Sequence, residues 1–197
     1  MVAALILAAG RSRRMGRPKA LLLTPAGHTF VAQLVETLAL GGVESPFVVG
    51  RPDDDALKRQ VESFGERARW VANPLADTGG QLSSVLVGLD KADRPGVGGL
   101  MVVPVDAPMI TAQTIATLLS TFRAGRGLIV RARYQGRNGH PVVFAREVFD
   151  DLRHADPAMG AKAVLRARGG DIIDVDVDDA GVAGDIDTPE DYGKLVN

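Results

Sequence analysis

The chain has 197 residues, 46% of them hydrophobic, and a formal net charge of −1. This composition supports a buried core and excludes wholesale disorder, and the chain lacks the overall basic field of a general nucleic-acid binder. Cysteine is absent from the sequence, which excludes disulfides, thiolate metal sites and a cysteine nucleophile. The length predicts a single domain over residues 1–197.

Short apolar stretches alternate with segments of helical periodicity along the chain. Residues 2–9 are apolar throughout, which is typical of a strand covered on both faces. Further strands are predicted at 45–50, 68–72, 98–106, 128–134, the start of 141–152, and 171–177. Helices are predicted at 30–40, 54–64, 83–92, 111–122, the end of 141–152, 157–167, and from Pro189 onwards.

This alternation predicts an α/β fold, namely a single-domain, Rossmann-like and mostly parallel sheet with helices on both faces. The segment from Arg133 to Arg146 interrupts the alternation and is either a hairpin or an added lobe. The first apolar run follows no basic segment and is too short for a signal core or a membrane span. We therefore expect a soluble, cytoplasmic protein that binds neither membrane nor nucleic acid.

The stretch "GRSRRMGRPK" follows the first predicted strand and holds five cations and no acid: Arg11, Arg13, Arg14, Arg17 and Lys19. In open α/β sheets, ligands bind beyond the carboxyl ends of the strands, where this loop lies. Its glycine spacing fits neither the P-loop nor the dinucleotide-binding fingerprint. Glycines that let the backbone approach a ligand, beside cations that hold several oxygens, predict a triphosphate site. A solvated basic loop without a ligand is the alternative.

The longer stretch "LAAGRSRRMGRPK" resembles the signature of the MobA-like nucleotidyltransferases, L-A-[AG]-G-x-S-x-R-M-G-x-x-K, at every fixed position. The resemblance implies a nucleotide-diphospho-sugar transferase-like fold and nucleotidyl transfer from a nucleoside triphosphate to a phosphorylated acceptor. It implies that Arg14 and Lys19 bind the phosphates as catalytic groups, while Arg11, Arg13 and Arg17 only steer the ligand. It assigns nucleotide binding to Leu7, Ala8, Ala9, Gly10, Arg14 and Lys19.

A later stretch, "NPLADTGGQLSSVLVGL", resembles the N-P…G-x-x-S-S-L-x-x-G-L segment of the same family. Glycines before a helix N-terminus leave backbone N–H groups free for an anion or a base edge. The resemblance adds Asn73, Gly80 and Ser84 to the nucleotide-binding residues. Ser83 and Ser84 as plain helix caps are the alternative.

Nucleotidyl transfer brings two anions together, so the sequence should offer carboxylates for Mg²⁺. Asp106 in "VPVDAP" ends a predicted strand, and Asp185 and Asp187 in "GDIDTPEDY" share one face of an extended segment. The stretches resemble the family's D-x-P and D-I-D-T-P-E-D motifs. The resemblance implies that Asp106 is a catalytic metal ligand and Asp187 the second ligand, with Asp185 beside it or sharing the role. A turn acid at Asp106 and solvent-facing acids in the tail are the alternatives.

The stretch "GRNGHPVVF" resembles the G-H-P-x-x-F segment of the molybdopterin cytidylyltransferase branch, which implies acceptor contacts from His140 and Pro141. In this family "LAAG" accompanies CTP, and the methyl group of Ala9 narrows the space beside the base. The resemblance implies Mg²⁺-dependent transfer of CMP from CTP to molybdopterin with release of pyrophosphate, and a molybdenum hydroxylase apo-enzyme as partner. GTP as donor, a sugar phosphate or another small phosphate as acceptor, and a non-catalytic cofactor-delivery protein are the alternatives.

Overall fold

The computed structural model describes residues 1–196, and within them seven strands form one sheet. The strands are β1 (Val2–Leu7), β2 (Phe47–Gly50), β3 (Arg69–Ala72), β4 (Gly99–Pro104), β5 (Ile129–Tyr134), β6 (Arg137–Ala145) and β7 (Ile172–Asp176). Their order across the sheet is β3-β2-β1-β4-β6-β5-β7. Among them β6 is antiparallel to β4 and β5, whereas the other neighbouring pairs are parallel. This confirms the predicted α/β, mostly parallel sheet.

Seven helices cover the two faces of the sheet in the described part of the chain. They are α1 (Phe30–Leu40), α2 (Asp55–Ser63), α3 (Gly80–Ala92), α4 (Ala112–Arg123), α5 (Phe149–Arg153), α6 (Ala161–Ala167) and α7 (Pro189–Val196). Helices α1, α2, α4 and α7 pack on one face, with Phe30 and Ile115 in that core. Helices α3, α5 and α6 pack on the other, with Leu89 and Phe149. Because both faces are covered, β1 and β4 read as continuous apolar runs in the sequence.

The position of the site follows from the point where the chain reverses its course through the sheet. From β1 the chain builds outward to β2 and β3, and it then returns to place β4 on the other side of β1. The last residues of these central strands, Leu7 and Pro104, lie side by side. Ligand sites of doubly wound sheets form at such a reversal, beyond the carboxyl ends of the strands. The loop after β1 and the acid after β4 both begin here.

The irregular segment of the sequence is the β5–β6 hairpin, so the hairpin prediction is confirmed and no added lobe is present within residues 1–196. The tail strand β7 pairs with β5 alone and forms one edge of the sheet, as its alternating pattern predicts. Helix α3 begins at Gly80 rather than at Ser83, so Ser83 lies inside the first turn and its hydroxyl donates to the Gly80 carbonyl. No helix in residues 1–196 is long and apolar enough to cross a bilayer.

Candidate active site

The basic loop after β1 is held at two buried points and exposed between them. Met15 is 5% exposed and belongs to the core, and Lys19 is 8% exposed at the start of a 3-10 turn that follows Pro18. Ser12, at a φ of 48°, accepts a hydrogen bond from the backbone N–H of Lys19 (3.2 Å). The arginine side chains of the loop remain exposed: Arg11, Arg13, Arg14 and Arg17. The buried Met15 and Lys19 therefore fix the loop, and its arginine side chains lie at the surface.

The buried ammonium of Lys19 joins the two acidic segments. Its Nζ lies 2.9 Å from Oδ2 of Asp106 and 2.5 Å from Oδ1 of Asp187. Burial opposes the charge of this lysine, but the hydrogen bonds that it donates to Asp187 and Asp106 outweigh burial and raise its pKa. Three residues separated by 87 and 168 positions in sequence thus meet at one point.

Asp187 carries a second cationic contact. Arg14 Nη2 lies 2.8 Å from its Oδ2, so each carboxylate oxygen faces a cation. The hydrogen bond from Lys19 is the main cause that lowers the pKa of Asp187. The start of α7 orients this acid: the backbone N–H groups of Asp187 and Thr188 donate to Asp191 Oδ2 at 3.2 and 3.0 Å. Such N-terminal capping fixes the direction in which the preceding residue points.

Two sets of hydrogen bonds hold the C-terminal tail at the site, one between backbone groups and one through the side chain of Asp179. The N–H of Ile186 donates to the carbonyl of Asp106 (2.8 Å), which aligns the two acidic segments directly. Upstream, the buried Asp179 accepts from the Thr111 N–H (2.8 Å) and the Thr114 hydroxyl (2.6 Å) at the start of α4. The turn after Asp179 packs so closely that a Cβ on Gly139 would overlap the Val182 carbonyl.

Two cavities meet beside Asp106. The first, of about 420 Å³, is enclosed by the basic loop, the start of α3 and the ends of β1 and β4. The second, of about 890 Å³, extends over β6 and α6. Five residues line both cavities: Leu7, Gly80, Gln81, Pro104 and Asp106. Two ligands bound in these cavities would therefore have their adjoining ends at Asp106.

Most residues predicted from the sequence line one of these cavities. The first cavity is lined by Leu7, Ala8, Ala9, Gly10, Arg14, Lys19, Gly80, Ser84, Asp106 and Asp187. The second is lined by His140 and Asp185 as well as by Asp106. Asp187 therefore lines the first cavity and Asp185 lines the second, although the two residues are only two positions apart in the sequence.

Two predicted contacts lie behind the cavity walls instead. Asn73 is fully buried, and its amide donates to the hydroxyls of Ser83 and Ser84 at 2.9 Å. Because its oxygen also accepts from the Leu75 N–H, Asn73 holds the wall in place rather than lining it. His140 lines the second cavity, and alternate residues of a strand face opposite sides of the sheet. The next residue of β6, Pro141, therefore points away from the cavity and is buried.

His140 and Asp185 lie near each other, and burial shifts their pKa values in opposite directions. Burial lowers the pKa of the His140 imidazole, whereas burial and then the charge of Asp106 raise the pKa of Asp185. The Nδ1 atom of His140 is buried and has no hydrogen-bond partner within residues 1–196. Other atoms of His140 line the second cavity.

An ion cluster that the sequence did not predict lies beside the basic loop. Asp77 accepts from Arg11 through both carboxylate oxygens (2.7 and 2.6 Å) and from Arg51 (2.6 and 3.0 Å). Hydrogen bonds from Arg51 and then Arg11 hold the pKa of Asp77 far below its usual range. The cluster ties the basic loop to the loop after β3. Arg51 directly follows β2, and a cation at the carboxyl end of a strand was the feature of the sequence that could have pointed to this cluster.

The carboxylates fit a magnesium ion that is shared with phosphate oxygens. Within residues 1–196 no group of three or more His, Asp or Glu side chains is arranged to enclose a metal. Asp106 and Asp187 converge on one cation, the Lys19 ammonium, with about a quarter to a third of each side chain exposed. Mg²⁺ is bound in this way by one or two carboxylates plus substrate phosphates rather than by an all-protein cage.

Comparison with known proteins gives the family. The MobA-like NTP transferase domain matches residues 4–172, which is most of the chain. The chain belongs to this family. This MobA-like protein is therefore a nucleotidyltransferase, and the resemblance that its signature loop carries is confirmed.

Individual relatives of this MobA-like protein carry different names. A nicotine blue oxidoreductase of Paenarthrobacter nicotinovorans is 30% identical and covers 99% of this chain and 96% of that protein. A probable molybdenum cofactor guanylyltransferase of Rhodopirellula baltica is 33% identical over 65% of this chain and 59% of that protein.

The fold of this MobA-like protein is shared with solved structures. The crystal structure of Rv0371c from Mycobacterium tuberculosis superposes with a TM-score of 0.83 at 24% identity, over 100% of this chain and 97% of that chain. The same protein is known as a complex with manganese, with a TM-score of 0.75.

Proposed function

We propose that this MobA-like protein transfers CMP from CTP to the phosphate of molybdopterin, with Mg²⁺ as cofactor and pyrophosphate as the second product. The observation that carries the proposal is the placement of Lys19 between Asp187, in the first cavity, and Asp106, which lines both cavities. A relative named as a probable molybdenum cofactor guanylyltransferase supports molybdopterin as acceptor. The manganese complex of a protein with the same fold supports a divalent metal.

In this proposal the first cavity binds the nucleotide. Its volume of about 420 Å³ suits a nucleotide, since ligand pockets commonly span about 300–1,000 Å³. The backbone of Ala8, Ala9 and Gly10 borders the base and ribose, and Ser84 lies on the facing wall. Arg14 and Lys19 bind the phosphates, where their charge offsets the negative charge that develops during transfer. The Ala9 side chain, which is 5% exposed, favours the smaller cytosine over guanine.

The second cavity binds the acceptor. Its phosphate oxygen attacks the α-phosphorus of CTP, the new oxygen–phosphorus bond forms, and the bond to the β-phosphate oxygen breaks as pyrophosphate leaves. The two ligands approach from opposite cavities, so attacking and leaving oxygens lie on opposite sides of the phosphorus near Asp106. Mg²⁺, held by Asp106 and Asp187, would neutralise phosphate charge during this step. The work of the chain is positioning and charge neutralisation rather than covalent catalysis.

A substrate panel tests this proposal. Each of the four nucleoside triphosphates is combined with molybdopterin, glucose 1-phosphate or phosphocholine, with and without Mg²⁺, and pyrophosphate release is followed. The proposal predicts release with CTP and molybdopterin only when Mg²⁺ is present.

Other results of the panel identify the alternatives. Faster release with GTP would assign guanylyl transfer, and release with a small phosphate alone would replace the acceptor. No release with any pair, together with NAD(P)H oxidation, would place the protein with its oxidoreductase-named relative.

A further inference from the structure

The second cavity is larger than a small phosphorylated acceptor needs. It encloses about 890 Å³, whereas the cavity assigned to the nucleotide encloses about 420 Å³. The acceptor's reacting phosphate has to lie at the shared border beside Asp106, where the two cavities meet. A hexose phosphate or phosphocholine placed there leaves most of the second cavity unfilled. The side chains that line the remainder of the cavity therefore indicate the chemistry of the rest of the acceptor.

Part of this wall is apolar. Side chains from α3, β4, β6 and α6 contribute apolar surface, among them Leu82, Val102, Val142, Phe144 and Leu165. Leu82, Val102, Val142 and Phe144 are each between 2% and 5% exposed, so this part of the wall is packed and preformed. A preformed apolar wall favours a flat organic ring over a hydrated sugar.

Another part of the wall holds three cations, which we call the α6 cation group: Arg137, Lys162 and Arg166. All three are exposed and line the second cavity, and none forms an ion pair within residues 1–196. Lys162 and Arg166 are four residues apart on α6, where like charges repel by about 0.2–0.5 kcal/mol. By contrast, Arg131 in the same cavity is neutralised by Asp174 at 2.8 Å. The α6 cation group is thus a concentration of free positive charge beside an apolar wall.

We infer that the α6 cation group binds an anionic group of the acceptor other than the phosphate that receives the nucleotide. The reacting phosphate lies at the Asp106 border, and the α6 cation group does not line the first cavity. The acceptor class is therefore a bulky, partly apolar molecule with an anionic group in addition to its reacting phosphate. This inference rests on the proposed function, and it makes Arg137, Lys162 and Arg166 specificity-determining residues.

The test uses a ligand that has the ring and the anion but no phosphate. Pterin-6-carboxylate is titrated by fluorescence into the wild type, into a Lys162→Gln/Arg166→Gln variant, and into an Arg59→Gln/Arg126→Gln control. Both variants lose two exposed cations, but Arg59 and Arg126 lie on α2 and in the loop after α4. The inference predicts dissociation constants at least about 10-fold higher in the α6 variant, and a control within about twofold of the wild type.

Two results would overturn the inference: equal affinity in all three proteins, or no saturable binding to the wild type. CTP affinity measured in the same variants should stay unchanged, and a matching loss of CTP affinity in the α6 variant would also contradict it. The proposed function fails separately. If the wild type transfers no CMP but the α6 variant loses the probe, the function is wrong and the subsite stands. If CMP is transferred but the probe binds all three proteins equally, the subsite is wrong and the function stands.

Discussion

The backbone N–H of Ile186 donates a 2.8 Å hydrogen bond to the carbonyl oxygen of Asp106. This bond holds the acidic tail against Asp106, which lies two residues after the end of the central strand β4. It aligns the backbones of the two acidic segments, and the Lys19 ammonium contacts the carboxylates of both Asp106 and Asp187. Preorganised charge of this kind is the main source of catalysis in reactions that develop charge on phosphates.

Replacement of Asp106 by asparagine is predicted to reduce turnover by about 100-fold or more, because one of the two proposed metal ligands is lost. The side chain is only partly buried, so the fold should persist. Steady-state pyrophosphate release and circular dichroism measure the two effects. Asp90→Asn, an exposed change on α3, is the control. Near-normal turnover in Asp106→Asn would refute the metal assignment.

Replacement of Lys19 by alanine is predicted to weaken triphosphate binding by about 10-fold or more, as expected for a lost charged hydrogen bond of roughly 1.5–3 kcal/mol. The change also leaves the carboxylates of Asp106 and Asp187 without their shared cation. Without nucleotide, Mg²⁺ should then raise the melting temperature of the variant more than that of the wild type.

Binding of CTP by calorimetry and thermal melts with and without Mg²⁺ measure these effects. Lys58→Ala removes an exposed lysine on α2 and is the control. An unchanged CTP affinity in Lys19→Ala would contradict the phosphate-binding role.

Replacement of Asp179 by asparagine is predicted to weaken the response of the enzyme to Mg²⁺, although Asp179 lies outside the proposed metal site. Asp179 anchors the tail to the start of α4, because its Oδ2 accepts from Thr111 and Thr114 while its Oδ1 accepts from the Gly181 N–H. An asparagine has one acceptor oxygen and cannot accept at both positions. We expect a loss of roughly 1.5–3 kcal/mol of stability and a higher Mg²⁺ concentration for half-maximal activity. The neighbouring, exposed Asp178→Asn is the control. A loss of stability with an unchanged Mg²⁺ requirement would show that Asp179 is structural only.

Replacement of Asp77 by asparagine is predicted to release the basic loop. Because Asp77 holds Arg11 and Arg51 together, amide hydrogens of residues 10–17 should exchange several-fold faster in the variant. Glu44→Gln, which removes an exposed carboxylate elsewhere, should leave them unchanged. Equal exchange in Asp77→Asn and the wild type would show that the cluster does not restrain the loop.

The same cluster predicts a pH dependence. The pKa of Asp77 is lower in the folded than in the unfolded protein, so the unfolded state binds more protons as pH falls. The stabilisation is therefore full above the unfolded value of about 3.9 and is lost as pH falls below it. The gap in melting temperature between wild type and Asp77→Asn should be widest near pH 7 and narrow below about pH 4. A gap that widens on acidification would contradict this assignment.

Local patterns were sufficient to predict the elements that position the site. The apolar runs of β1 and β4 and the cations between Gly10 and Lys19 are continuous in sequence, so their places in an α/β sheet follow from periodicity and chain direction. Resemblance to the family then directed attention to Asp106 and Asp187, which the structure brings to Lys19.

The remaining features depend on contacts between distant segments. Asp77 meets Arg11 and Arg51 across 66 and 26 positions, and no local pattern encodes that partnership. Asn73 is a wall residue because its amide is used by two serines of α3, which only the packed structure shows. The side of the strand that Pro141 occupies depends on the register of β6 against β4.

A crystal structure with CTP and Mg²⁺ would test the proposed site most directly. We expect the base against Ala8, Ala9 and Gly10, and the phosphates against Arg14 and Lys19. We expect the metal about 2.0–2.1 Å from oxygens of both Asp106 and Asp187. A nucleotide bound outside the first cavity, or a metal that contacts neither carboxylate, would contradict it.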